Sequence, residues 1–113
     1  MSKNYLNIFK YKVKTASSLK KLKEKNKKKI ILCHGVFDVV HPGHIRHFIY
    51  AKSKADILVV SCTSDKFIDK GVYRPHVPER LRALNLAALQ MVDFVIIDNN
   101  KTPINLIKAL KPN

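Results

Sequence analysis

Two histidines separated by a proline and a glycine stand out in this sequence. His41 and His44 flank Pro42 and Gly43, in a short stretch between an apolar run and a helical pattern. A helix N-terminus offers unpaired backbone N–H groups and the positive end of the helix dipole, and both suit a phosphate. An imidazole N–H can also donate to a phosphoryl oxygen, more strongly as charge builds in a transition state. The residue types therefore indicate a phosphate-binding site.

Other residues of the same loop fit this interpretation. Gly43 has no side chain where a phosphate would approach the backbone, and Gly35 permits a tight turn after the apolar run. Asp38 can hold the loop by accepting hydrogen bonds from backbone N–H groups. Two alternatives stay open: the histidines only cap or pack the helix, or they bind zinc together with His47. The positive end of the helix dipole disfavours a cation, so no metal ligand is assigned.

The elements around the loop follow from the hydropathy pattern. Residues 30–33 form a continuous apolar run of strand length, typical of a strand buried on both faces. Thr15 and Thr102 are predicted N-caps, the second followed by Pro103 at the first helical position. The pattern predicts strands at 30–33, 57–62 and 93–97, helices at about 16–26, 43–54, 78–92 and 103–112, and one helical turn at 65–68.

Helices and strands alternate in this order, which favours one parallel sheet with right-handed crossovers. We therefore expect an α/β fold, a Rossmann-like three-layer α/β/α arrangement. The helix that follows the histidine loop should bury Ile45, Phe48 and Ile49. In such sheets, ligands bind outside the carboxyl ends of the strands, and the two histidines lie at such an end.

Length and composition indicate one small globular domain. The chain has 113 residues, of which 46% are hydrophobic and 27% charged, with a formal net charge of +14. Half of the 22 lysines and arginines, but only one of the eight acids, lie in residues 1–29. Residues 1–14 are predicted to form a basic N-terminal arm before a domain at 15–113. Because the rest of the chain is only mildly basic, nucleic acid is not the expected partner.

The sequence also indicates the cellular compartment of the protein. No apolar run reaches the roughly 18–20 residues that a membrane span needs, and the first residues have no signal-peptide pattern. Cys33 and Cys62 lie in apolar segments, so we expect reduced core thiols. These features predict a cytoplasmic protein without a membrane partner.

The ten residues Gly-Val-Phe-Asp-Val-Val-His-Pro-Gly-His, at 35–44, resemble the signature of the cytidylyltransferase-like nucleotidyltransferases. That family grips a nucleoside triphosphate with its His-x-Gly-His motif. The resemblance runs from about Lys14 to the end of the chain and is greatest to the bacterial sugar-phosphate branch, which includes heptose-1-phosphate adenylyltransferase domains. Further shared marks are Thr63-Ser64-Asp65, Lys70-Gly71, Arg74-Pro75, Arg82 eleven residues before Asp93, and Thr102-Pro103.

The resemblance implies transfer of AMP or CMP from ATP or CTP to a phosphorylated sugar or alcohol, with release of pyrophosphate and with Mg²⁺ on the triphosphate. It implies that His41 and His44 stabilise the transition state and that Lys70 reaches phosphates of the triphosphate or acceptor. Arg82 would bind phosphate or fix the loop, and Asp65 would lie near the acceptor or cap the next turn. The implied nucleotide-binding residues are Gly35, Val36, Phe37, Asp38, His41, Gly43, His44 and Arg82, and the implied acceptor contacts are Asp65 and Lys70.

The family pattern continues with a fourth strand that would lie beside the first, and Asn113 comes where it should begin. We therefore expect a domain truncated before its fourth strand. The first strand would then be an open edge without a protecting charge or proline, which favours self-association into a homo-oligomer. Two other functions stay open: a nucleotide-binding remnant without turnover, and a basic nucleic-acid-binding protein. The sequence decides neither the acceptor nor ATP against CTP.

Overall fold

A three-stranded parallel sheet forms the centre of the protein. The computed structural model describes residues 7–68 and 77–113. The elements are α1 Ala16–Asn26, β1 Ile30–Gly35, α2 Pro42–Ser53, β2 Ile57–Thr63, α3 Glu79–Ala87, β3 Phe94–Asp98 and α4 Ile104–Leu110, with single 3-10 turns at Lys10–Lys12 and Asp65–Phe67. Strand β2 lies between β1 and β3, and both pairings are parallel. The predicted α/β class and the parallel sheet are confirmed.

Helices cover both faces of this sheet, so the protein has three layers. On one face, α1 and α4 bury Leu19, Leu106 and Leu110 against Ile96 of β3 and other apolar strand residues. On the other face, the residues from α2, α3 and the strands form a second buried cluster: Cys33, Phe48, Ala51, Leu58, Val60, Cys62, Ala83, Leu86, Ala87, Val92 and Val95. Alternate residues of each strand feed the two clusters, because successive strand side chains point to opposite faces.

Both cysteines belong to the second cluster. They are free thiols and both are buried. Burial raises the pKa of the Cys33 thiol and raises that of Cys62 to about 11. Both side chains are therefore protonated core groups near neutral pH, as the sequence predicts.

Local predictions at the helix termini have mixed outcomes. Thr15 caps α1 as expected, because its Oγ1 accepts a hydrogen bond from Ser18 N. The prediction for Thr102 is wrong: the first backbone bond of α4 runs from Ile107 N to the carbonyl of Pro103, which makes Pro103 the N-cap with no side-chain cap bond.

One buried position on α2 is also wrongly predicted. Phe48 is buried, but Ile49 is 54% exposed and Ala51 is buried in its place. Consecutive helical residues point about 100° apart, so a helix that turns Phe48 toward the sheet turns Ile49 away from it.

The N-terminal segment lies along the outer edge of β3. Val13 forms an isolated parallel bridge with Val95, and Lys14 N donates to the Val95 carbonyl at 2.9 Å. Lys12 Nζ donates to the carbonyls of Leu89 and Val92, at 3.1 and 2.9 Å, and so ties the segment to the connection between α3 and β3. Residues 7–14 are therefore joined to the domain rather than separate from it.

The opposite edge of the sheet belongs to β1. Within the described residues, only Ile30 of this edge carries backbone bonds on its outer side: its N–H donates to Asn113 Oδ1, and its carbonyl accepts from Asn113 N. From Ile31 to Gly35, the strand pairs with β2 alone.

The described helices include none long and apolar enough to cross a membrane.

Candidate active site

The loop after β1 begins with a strained residue. Phe37 has φ of 54°, a left-handed conformation that is uncommon for a bulky side chain. Its ring lies over Gly35, where an added Cβ would come within 3.0 Å of the Phe37 ring. A side chain at Gly35, the last residue of β1, would therefore crowd the Phe37 ring.

The two motif histidines cap the start of α2. His41 Nδ1 accepts from Gly43 N at 3.0 Å, and His44 Nδ1 accepts from His41 N at 3.2 Å. The bonds form a reciprocal capping box in which imidazoles replace the usual hydroxyl and carboxylate. Gly43 is needed here as well, because a Cβ would lie 2.8 Å from His41 Cε1.

This capping fixes which ring nitrogen carries the proton. A nitrogen that accepts a backbone N–H bond must present its lone pair, so the proton of each neutral ring lies on Nε2. The ring centroids of His41 and His44 are 3.9 Å apart. The arrangement therefore holds two adjacent N–H donors at the positive end of a 12-residue helix.

Aromatic contacts hold the His44 ring in place. The Phe37 ring packs against it in a T-shaped arrangement with centroids 5.3 Å apart, and Phe48 stacks at 6.4 Å. Burial lowers the pKa of His44, and the neighbouring His41 and His47 lower it further. His44 is therefore neutral at pH 7, in the form that its capping bond requires.

Arg82 lies beneath the loop and is completely buried. Its Nε donates to the Val77 carbonyl at 2.8 Å, and its Nη1 donates to the carbonyls of Val36 and Thr63 at 2.8 and 2.6 Å. Its Nη2 forms an ion pair with Asp65 Oδ1 at 2.6 Å. Four of the five guanidinium N–H donors thus face protein acceptors. Of the two roles that the resemblance implied, binding phosphate and fixing the loop, this geometry is that of fixing the loop.

The acids of the site are also engaged by the protein. Asp65 Oδ2 accepts from Glu79 N at 3.2 Å while Glu79 Oε1 accepts from Asp65 N at 3.0 Å. Asp38 is buried, and its Oδ1 accepts from Val77 N at 2.8 Å. These carboxylates connect the β1 loop, the turn after β2 and the start of α3.

A cavity of about 700 Å³ opens above the loop, within the range of small-molecule sites. Its lining brings together most of the predicted loop residues, namely Gly35, Val36, Phe37, Asp38 and His44. Lys70, the remaining predicted catalytic residue, lies outside the described residues. His34 also lines the cavity, and sequence reasoning missed it, although a polar residue at the end of a buried strand was a usable signal.

The zinc alternative receives no support from the geometry. In the described ranges 7–68 and 77–113, no three His, Cys, Asp or Glu side chains are grouped so that they could hold a metal ion. The capping bonds also occupy the Nδ1 atoms of His41 and His44.

Comparison with known proteins gives the family. Residues 32–113 match the family model described as cytidylyltransferase-like. The Bifunctional protein HldE of Helicobacter pylori is 47% identical over 92 residues, which are 80% of this chain and 20% of that protein. The Bifunctional protein HldE of Campylobacter jejuni is 43% identical over 107 residues, 93% of this chain and 23% of that protein.

A solved structure agrees with this assignment. The lipopolysaccharide core biosynthesis protein from Thermoplasma volcanium superposes with a TM-score of 0.64 at 27% identity, over 75% of this chain and 70% of that one. The chain spans only about a fifth of the length of the curated relatives above. The matched family model covers most of the chain and includes the whole histidine loop, so the chain belongs to the cytidylyltransferase-like family of nucleotidyltransferases.

Proposed function

We propose that this domain transfers a nucleotidyl group from ATP or CTP to a phosphorylated sugar or alcohol. A phosphate oxygen of the acceptor forms a bond to the α-phosphorus. The bond from that phosphorus to the oxygen bridging to the β-phosphorus breaks, and pyrophosphate leaves with the bridging oxygen and its electron pair. The observation that carries the proposal is the reciprocal cap of His41 and His44, which holds two Nε2–H donors at the N-terminus of α2.

Nucleotidyl transfer requires that the protein position the reactants and stabilise charge; it does not require a nucleophile on the protein. Negative charge on the oxygens of the α-phosphate grows as the fifth bond to phosphorus forms. Donors that are already oriented stabilise that charge without reorganising, and they contribute more to the transition state than to the bound substrate. The capping bonds of His41 and His44 provide this preorganisation.

The remaining predicted residues have supporting roles in the proposal. The hydrogen bonds of Arg82 and Asp65 support positioning of the loop through the Val36 carbonyl rather than direct contact with phosphate or acceptor. Asp38 acts in the same way through Val77 N. Lys70 is proposed, on the family resemblance, as the mobile cation that contacts the phosphates.

The donor set of the cavity fits Mg²⁺ that is carried by the nucleotide. Hard cations take oxygen ligands, and the Asp65 and Asp38 carboxylates both hold protein groups. Oxygens of the triphosphate and water would therefore hold the ion, which would neutralise charge on the leaving pyrophosphate.

The acceptor class is proposed from the relatives. The matched proteins carry the names Bifunctional protein HldE and lipopolysaccharide core biosynthesis protein, and the family branch that the sequence resembles acts on sugar phosphates. We propose a heptose phosphate or a similar sugar phosphate as acceptor, in a cytoplasmic step that supplies cell-surface polysaccharide precursors. A nucleotide-binding domain without turnover remains the second candidate, favoured by the open edge of β1.

Replacing His44 separates these two candidates. We expect His44→Ala to lower the rate of pyrophosphate release by about 10²–10³-fold, as loss of one preorganised donor does. The affinity for ATP or CTP, measured by calorimetry with Mg²⁺, should change much less. Arg46→Ala is the control, because it removes an exposed cation from the same helix and should change neither.

Three other outcomes of this experiment would contradict the proposed role of His44 or one or both candidate functions. Equal loss in both variants would contradict a specific role for His44. Triphosphate binding without pyrophosphate release from any sugar phosphate, glycerol phosphate or phosphoethanolamine would favour the second candidate. Absence of triphosphate binding would contradict both.

The lowered pKa of His44 predicts a pH dependence. Its ordinary value is 6.5, and the folded value lies below it, so folding favours the neutral ring. The resulting stabilisation is present above pH 6.5 and is lost as the pH falls through the folded-state pKa, where protonation removes the lone pair that accepts from His41 N. An NMR titration should give a His44 midpoint below 6.5, and a midpoint at or above 6.5 would contradict the capped geometry.

We also propose that the open edge of β1 pairs with another copy of the chain. The support is that the outward-facing backbone groups of β1 beyond Ile30, those of Leu32 and His34, have no strand beside them in the described sheet. Light scattering should show a mass that rises above that of the monomer with protein concentration. A strictly monomeric species at high concentration would contradict this proposal.

A further inference from the structure

Four polar side chains meet on the sheet face that α1 and α4 cover. They are His34 at the end of β1, Ser61 and Thr63 on β2, and Asp98 at the end of β3. The pairing register places His34 opposite Ser61 and Thr63 opposite Asp98. Since strand side chains alternate between faces, they share the face of Ile96, which belongs to the apolar cluster with α1 and α4.

The two hydroxyls of this polar set contact the imidazole, one at a short and one at a long distance. Ser61 is fully buried and Thr63 is 6% exposed. His34 Nδ1 lies 2.6 Å from Ser61 Oγ, whereas its Nε2 is 3.4 Å from Thr63 Oγ1. Buried hydroxyls need hydrogen-bond partners, so this pair fixes the orientation of the ring. The short bond to Ser61 uses Nδ1. Because the contact between Nε2 and Thr63 is long, Nε2 is better placed than Nδ1 to bind a further oxygen.

Asp98 gives this polar set its charge. Its side chain is buried, and its Oδ1 accepts from Asn100 Nδ2 at 3.0 Å. Its Oδ2 is buried with no hydrogen-bond partner in the described part of the chain. Burial lowers the pKa of His34, and the Asp98 carboxylate partly opposes that effect. The imidazole is therefore neutral at pH 7, and the buried negative group that acts on it lies two strands away.

His34 also lines the cavity that contains His44. The two ends of this cavity differ in charge. At the α2 end, the helix dipole and the Nε2–H donor of His44 favour phosphate. At the His34 end, the cavity wall carries a neutral imidazole, which exchanges hydrogen bonds with hydroxyl groups, and the Asp98 carboxylate behind it disfavours a second negative group near His34.

We propose that His34, oriented by Ser61 and Thr63, is a specificity-determining residue that hydrogen-bonds a hydroxyl group on the carbohydrate part of the acceptor. This inference rests on the proposed function and deepens it, because it favours a polyhydroxylated acceptor over a small cationic one. Ser61 and Thr63 act through His34 and are positioning residues.

The experiment measures binding of three probes to the full chain saturated with ATP and Mg²⁺: a heptose 1-phosphate, glycerol phosphate and phosphoethanolamine. His34→Phe keeps a flat ring but removes both nitrogens, and we expect the Kd for the heptose phosphate to rise about tenfold. The Kd for ATP should stay within about twofold. His34→Gln restores a donor and an acceptor and should recover part of the loss, which a merely structural role would not produce.

Ser61→Ala and Ser17→Ala form a matched pair, since Ser17 is exposed on α1. Ser61→Ala should weaken heptose phosphate binding and Ser17→Ala should not. The inference is overturned if ATP binds but the heptose phosphate does not, or if the heptose phosphate has the same Kd for His34→Phe and for the unaltered chain. It is also overturned if phosphoethanolamine is the probe whose binding depends on His34. Failure of both ATP and CTP to bind the unaltered chain overturns the proposed function, and this inference with it.

Discussion

The buried guanidinium of Arg82 is the interaction on which the candidate site depends. It bonds the carbonyls of Val36 and Thr63 and the carboxylate of Asp65, and so joins the loop after β1 to the end of β2. Its own bond to the Val77 carbonyl adds the start of α3. Burying a charge costs several kcal/mol unless it is paired and hydrogen-bonded, and this geometry meets both conditions. Lysine could not do so, because only the planar fork directs donors to several acceptors at once.

A chain of local constraints runs from Arg82 to the histidines. With the Val36 carbonyl held, the next residue, Phe37, adopts its left-handed conformation, and its ring packs on Gly35 and against the His44 ring. Such strain persists where the surroundings fix the backbone, as they do at functional sites. The His44 ring is then placed to complete the cap of α2. The position of the donors proposed to bind phosphate thus depends on a residue on another helix.

The sequence predicts what depends on local pattern and misses what depends on distant partners. Continuous apolar runs separated by helical patterns were sufficient for the parallel sheet, and the spacing of His41 and His44 was sufficient to locate the loop. The burial of Arg82 could not be derived, because an arginine in a helical pattern is ordinarily exposed. Its acceptors lie at residues 36, 63, 65 and 77, so only the assembled fold shows that they converge. The position of His34 at the end of a buried strand was a signal in the sequence, but its partners were not, since Ser61 and Asp98 come from other strands.

Substitution of lysine for Arg82 is the most direct test of this account, with amide hydrogen exchange and ATP affinity measured on the same protein. Arg82→Lys keeps the charge and removes the directed fork, so exchange should accelerate in the loop from Val36 to His44 and ATP should bind more weakly. Amides in the centre of β3 should exchange as before, and Arg80→Lys, on an exposed neighbour, should change neither quantity. Unchanged loop exchange together with unchanged ATP affinity in Arg82→Lys would contradict the account.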